Sequence, residues 1–252
     1  MKTPLFKLFV FFCLAISFTA CQKKVDLNNE IAEKRTGLVT DKVYPLEGNE
    51  VSAIILPKSD LPHSKLLNFY GHKVKVIDSV CDEYLKSTKK VDISKIKDGE
   101  FIFDIGNSKF GIASITGFRK INAGPKGWWT HWGYNPYVSS EYPNVLFSEG
   151  DDGYVGNFLI LVFSKKVSTF GFEVAPNATG VNLKCSVGYQ ENNTPIENEM
   201  FSVEQMVSSP SGARQIAVKS ETPFSKVTIY LQDSDPGKRG LAISNIRYAL
   251  AK

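Results

Sequence analysis

Residues Phe158 to Asn177, FLILVFSKKVSTFGFEVAPN, decide the fold class. An apolar run from Phe158 through Leu159, Ile160, Leu161 and Val162 to Phe163 meets the polar break Ser164-Lys165-Lys166. A second apolar-aromatic run follows through Phe170, Phe172 and Val174. Runs this short, rich in aromatic and β-branched residues and closed by turn formers, read as strands rather than helices. The stretch is expected to form a buried strand and its successor at the centre of an all-β domain. Outward from it, the same signal recurs. Val181 to Tyr189, Gln215 to Lys219, Lys226 to Gln232 and Leu241 to Tyr248 all read as strands. In Lys226 to Gln232, Val227, Ile229 and Leu231 alternate with Thr228, Tyr230 and Gln232, the pattern of a sheet with one wet side.

Towards the N-terminus, Asp98-Gly99 turns into Phe101 to Ile105. A further turn at Gly106-Asn107 leads to Phe110 to Ile115, a hairpin pattern. Val51 to Leu56, stopped by Pro57, and Lys73 to Val76 are further strand candidates. Asp82 to Lys90 is the one convincing short helix. Residues 122 to 157 read as a long loop-like insertion dense in Gly, Pro, Trp and Tyr. Many short strands, no long helix and no repeat predict an antiparallel β-sandwich of jelly-roll type, like a carbohydrate-binding module, with a long aromatic loop and at most one short helix.

The composition agrees. Of 252 residues, 42% are hydrophobic and 22% charged, which suits an ordinary globular domain, and 17 Phe with 10 Tyr suit a pleated core. The formal charge of +4 falls to about +2 once Lys2 and Lys7 leave with the leader, which argues against a nucleic-acid partner.

That leader reads MKTPLFKLFVFFCLAISFTAC. It has a positive start, and its apolar stretch, Leu8 to Phe18, is too short for a comfortable membrane span. Phe18-Thr19-Ala20-Cys21 resembles the lipobox of a bacterial lipoprotein, with Phe18 in place of the usual Leu. The resemblance implies removal of residues 1–20 as a signal peptide and acylation of Cys21, including palmitate. It makes the membrane a partner through a lipid anchor. Several acyl chains hold where one would exchange. An ordinary secretory leader cut near Ala20 is the alternative. Gln22 is not the Asp that commonly retains such proteins in an inner membrane, so the outer membrane of a cell envelope is expected. Lys23-Lys24 does not match the acidic surface-export signal of Bacteroidota lipoproteins, and the face of that membrane stays open. Residues 21–45 read as a flexible tether and 46–252 as a single β-sandwich domain.

The order "aromatic Trp/Pro loop, FLILVFSKKVSTFGFEVAPN, KVTIYL, acidic-Gly turn, LAISNIRYAL" spans roughly residues 122 to 250. It is similar to the jelly-roll domains of many secreted bacterial proteins, including the PEP-CTERM exosortase substrates. Two departures stand out: no apolar sorting tail follows, and Ser244 occupies the place of an Asp before Asn245. The resemblance implies a fold and an extracytoplasmic life, and carries no activity.

Candidate chemistry is concentrated in the insertion. Trp128, Trp129, His131, Trp132, Tyr134 and Tyr137 form the expected ligand-binding set. Aromatic rings stack on the flat C–H faces of sugars, and His131, Asn135 or Glu141 supply hydrogen bonds. Loops carried on a rigid scaffold are where such residues gather. The alternative is that two or three of these rings close one end of the core. Asp151 and Asp152, with Glu149, and Asp233 with Asp235 are oxygen-rich turns that could hold a structural calcium, or serve as plain turn formers. Cys81 and Cys185 could form a disulfide worth about 4–5 kcal/mol in the chain-entropy model. Cys185 also shares strand parity with Leu183 and Val187, which fits a small core hydrophobe.

Catalysis has little support. The 3 histidines lack zinc-type spacing, and no nucleophile elbow or phosphate loop occurs. A glycosidase needs two facing carboxylates, and Glu149-Gly150-Asp151 lacks the second Glu of the motif it resembles. Asp78-Ser79-Val80 matches a short bacterial O-glycosylation pattern. The expected function is a lipid-anchored envelope module binding a glycan or envelope component. The alternatives are a passive structural or adhesion lipoprotein and, last, a glycoside-acting enzyme.

Overall fold

A computed structural model describes residues 64–68, 70–122, 132–133, 136–140, 143–148, 156–177, 182–191, 198–208, 212–232 and 240–252. The leader, the tether and the strand expected at Val51 to Leu56 lie outside them.

The decisive stretch forms one continuous strand, β7 (Phe158–Pro176). Its partner β10 (Arg214–Gln232) is also a single strand, where the sequence suggested two. The reason is a corner. The N-terminal half of β7 pairs with Lys226 to Tyr230 of β10, and its C-terminal half pairs with Arg214 to Lys219. The polar break Ser164-Lys165-Lys166 is exposed at that corner, and the register slips opposite it, around Phe224. Pro223, which has no N–H to give, sits in the slipped segment, where no ladder bond is lost. The two apolar runs are halves of one bent ribbon.

Around this pair the other partners change at the corner. The first half of β7 also pairs with β5 (Phe110–Asn122), and the second with β11 (Leu241–Leu250). β10 likewise passes from β2 (Val74–Ile77) to β8 (Asn182–Gln190). Beyond these lie β9 (Phe201–Ser208) and β1 (Lys65–Asn68) on one flank, and β6 (Asn144–Phe147) and β4 (Phe101–Asn107) on the other. Lys89–Lys90, β3, pairs briefly with β11. All these pairings are antiparallel. The fold is all-β and sandwich-like, and the single helix among the described residues is α1 (Asp82–Ser87).

The core fills the space inside the bend. Phe163, Phe170, Phe172, Tyr189, Phe201 and Phe224 form a connected aromatic group with β-branched neighbours from β8 to β11. Val227, Ile229 and Leu231 face it, and Tyr230 and Gln232 are exposed as their alternation predicts, but Thr228, expected on the same wet side, is buried. The hairpin between β4 and β5 also forms, but its turn is Ser108-Lys109 rather than Gly106-Asn107. The Asn107 side chain accepts from the N–H groups of Lys109 and Phe110 and so closes the turn two residues later than expected. The region expected to be loop contains β6, whose four residues are too few to show a period.

The second half of β7 is buried on both sides. Phe170, Phe172 and Val174 enter the main core. Gly171, Glu173 and Ala175 face the other way and are covered as well. Gly171 has to be glycine, because a Cβ there would run into Ala217 and the Tyr84 hydroxyl of α1. A second, smaller apolar cluster lies on this outer face, with Ile121, Trp132, Val138, Val145, Ala175, Ala213 and Ala242.

Cys81 and Cys185 are both free thiols. Cys81 is exposed at the N-cap of α1 and Cys185 is buried between Leu183 and Val187. The disulfide is therefore absent, and Cys185 acts as a core hydrophobe. Burial pushes the Cys185 thiol and the Tyr84 and Tyr189 phenols well above their ordinary ranges. In the unfolded chain the thiol ionises near pH ~8.5 and the phenols near ~10. Their stabilising contribution is thus complete below those values and is lost as pH rises beyond them, because the folded state keeps protons that the unfolded state releases. Melting temperature should fall from about pH 8.5 upward, and Cys185→Val should flatten the segment between about pH 8.5 and 9.5. An unchanged slope in that variant would show that the thiol is not the group responsible.

Candidate functional site

The expected binding loop joins the sandwich at one buried carboxylate. Glu173 is 1% exposed and is the only fully buried carboxylate among the described residues. A carboxylate so placed has to find donors, since burial without them costs several kcal/mol. It finds four. Its Oε2 accepts from Trp132 Nε1 at 2.7 Å and from Asn245 Nδ2 at 2.8 Å. Its Oε1 accepts from the Ser139 N–H at 2.6 Å and the Ser139 hydroxyl at 2.7 Å. An ionised carboxylate is an acceptor only, and these donors use both its oxygens.

Each donor is positioned by a local device. Asn245 has φ +47°, a conformation that asparagine tolerates better than most residues. It lies within a bulge in β11, where the pairing steps from Ser244 opposite Glu173 to Arg247 opposite Gly171. The extra residue turns the Asn245 amide toward Glu173. Its Oδ1 accepts from Lys90 Nζ, which fixes which end of the amide donates to Glu173. Lys90 is brought there by the pairing of β3 with β11. Burial holds the Lys90 ammonium below its usual range, and the Glu173 charge opposes that shift. Arg247, the next polar residue of β11, reaches back to α1. Its Nε donates to Thr88 Oγ1 at 2.9 Å, and a terminal nitrogen donates to the Leu85 carbonyl at 2.8 Å. The last strand, the short helix and the aromatic segment therefore share one polar seam on the outer face of β7.

This geometry alters the expected ligand set. Trp132 is 0% exposed, packed in the smaller cluster with its indole N–H on Glu173. Its ring has no free face for a sugar, and the reading of these aromatics as core closure holds for this one. Tyr137 is half-buried, with the Arg214 guanidinium carbon 3.6 Å from its ring centroid. Trp128, Trp129, His131 and Tyr134 lie outside the described residues. So do Cys21 and the calcium candidates Asp151, Asp152, Asp233 and Asp235 with Glu149. Among the described residues, no three His, Cys, Asp or Glu side chains gather as a metal site. A shallow depression of about 190 Å³ at the corner of β7 is lined by Phe163, Ser164, Lys165, Lys166, Glu191 and Ser225. Its Lys166 is already paired with Glu191 at 2.7 Å.

Glu173, Ser139, Asn245, Lys90 and Arg247 were not singled out from the sequence as site residues. One signal was present: Glu173 interrupts an apolar strand, and Glu is almost never fully buried unless paired. No family model, no curated protein and no solved structure matches this chain.

Glu173→Gln keeps the size of the side chain but turns one acceptor into a donor that faces donors. It should lose about 1–3 kcal/mol, the cost of leaving a buried polar group unsatisfied. Urea denaturation with tryptophan fluorescence would measure the loss. Trp132→Phe should lose stability for the same reason and leave Glu173 one donor short.

Proposed function

We propose that this chain is a lipid-anchored β-sandwich of a bacterial cell envelope that binds a glycan or another envelope component through its aromatic loop. It acts as a binding module rather than an enzyme. The observation that carries the reading is the Glu173 anchor. A segment so dense in Trp and Tyr is fastened on both sides of Gly133, at Trp132 and at Ser139, to a strand that cannot move without disturbing the core. Preorganised aromatic side chains on a rigid support bind at lower entropic cost than mobile ones. In this assignment Trp128 and Trp129 stack on the ligand, His131 and Tyr134 hydrogen-bond to it, and Trp132 fixes the loop. The lipobox-like Phe18-Thr19-Ala20-Cys21 supports acylation at Cys21 and an outer-membrane anchor. Kinship with the jelly-roll domains of PEP-CTERM-type secreted proteins belongs to the same proposal.

A passive structural or adhesion module is the second reading. The complete burial of Trp132 favours it, since one ring of the expected platform is spent on packing.

Trp128→Ala and Trp129→Ala should each weaken binding on a glycan array about tenfold, equivalent to ~1.4 kcal/mol, without lowering the melting temperature. A blank array with the unaltered protein would establish the passive reading instead. Cys21→Ser should abolish palmitate labelling and release the protein from the membrane fraction; retention of both would refute the anchor.

A further inference from the structure

Residues 212–214 meet Trp132 and Gly133 where both stretches carry glycine. Gly212 has φ +79°, and a Cβ on it would lie 2.5 Å from the Gly133 Cα. A Cβ on Gly133 would lie 3.1 Å from the Ala213 nitrogen. The Ala213 N–H donates to the Trp132 carbonyl across this clasp. The next residue, Arg214, opens β10 and lies against Tyr137 with its guanidinium carbon 3.6 Å from the ring centroid.

Arg214 is 4% exposed, and its Nε is sealed from water with no hydrogen-bond partner. Among the described residues no carboxylate reaches ion-pair distance of it. Glu173 is committed to Trp132, Asn245 and Ser139. The neighbouring Gln215 gives its amide to the Ser79 carbonyl. An arginine cannot shed its proton in a protein, so burial leaves the charge in place. Stacking on Tyr137 returns less than the desolvation of a buried ion takes away. The Tyr137 ring alone therefore does not balance the charge. An anion would.

We propose that Arg214 and Tyr137 form an anion subsite at the foot of the aromatic loop, which takes the carboxylate of an acidic sugar. The two terminal guanidinium nitrogens form the planar fork that matches a carboxylate, and the Tyr137 ring holds that fork in one plane. The inference rests on the glycan reading above and narrows it to uronic-acid-type ligands.

The test compares glucuronate, its uncharged amide glucuronamide, and acetate on the full chain, by isothermal titration and thermal shift. Glucuronate should bind about 10- to 100-fold more tightly than glucuronamide, the range set by a charge-assisted hydrogen bond. Arg214→Gln should remove that difference and Arg214→Lys restore part of it. The comparison of the two sugars in the unaltered protein needs no variant, so a misfolded Arg214→Gln would not weaken it. Equal binding of glucuronate and glucuronamide would overturn the subsite and leave glycan binding standing. If neither sugar bound but acetate raised the melting temperature in an Arg214-dependent way, the anion subsite would hold and the glycan reading would fall. No response to any of the three would overturn the subsite.

Discussion

A carboxylate buried on the outer face of the central strand constrains much of what surrounds it. Glu173 cannot stay where β7 puts it unless donors converge from elsewhere, and no neighbour in its own strand can supply them. Trp132 and Ser139 come from the aromatic segment and Asn245 from the last strand. Each is far from Glu173 in sequence. Their convergence explains two local oddities, the positive φ of Asn245 and the bulge in β11. A straight β11 would point that amide elsewhere. The local strain of the bulge is offset by a satisfied network, which is how irregular backbone persists in folded proteins.

The corner in β7 and β10 is the other half of the design. A strand that stays in one sheet has one set of neighbours, but these two change neighbours at Ser164–Lys166 and near Phe224. Both halves of β7 and β10 face the aromatic core, and the second half of β7 also presents a second, outer face. That face is not left wet: Tyr84 of α1, Trp132, Val138 and Ser139 cover it. Cover of this kind needs specificity, because Ala, Gly and Ser offer few shape cues. The polar seam from Lys90 through Asn245 to Glu173 supplies the register that the small apolar cluster cannot.

The sequence made the strands legible where burial was one-sided or complete: the apolar density of Phe158 to Val174 reaches the structure, and the alternation in Lys226 to Gln232 survives at Tyr230 and Gln232 while Thr228 is buried. It hid the continuity across the corner, because Ser164-Lys165-Lys166 and Glu221-Thr222-Pro223 carry the same residues as turns. In both places the chain bends while its ladder to a neighbour resumes a few residues on, and composition does not distinguish a bend from a break. β6 and β9 were missed for different reasons. The first is too short to show a period. The second mixes Glu204 and Gln205 into its alternation. At the candidate site, residue type drew attention to Trp132 but left both of its readings open. Stacking on a ligand and closing a core call for the same side chain, and only the partner of the indole N–H separates them.

The two buried charges beside the aromatic segment make an instructive contrast. Glu173 and Gln215 lie opposite each other across β7 and β10, and Arg214 lies opposite Val174, one residue along. Alternation along a strand sends Glu173 and Arg214 to opposite sides. Among the described residues the anion is met by four hydrogen bonds and the cation by one aromatic ring. Had folding stability alone shaped this region, an apolar residue at position 214 would serve better than an ion with no counter-ion among the described residues. Satisfied burial at Glu173 is the mark of a structural tie. Unsatisfied burial at Arg214, at the start of the neighbouring strand β10, is the feature on which the proposed anion subsite rests.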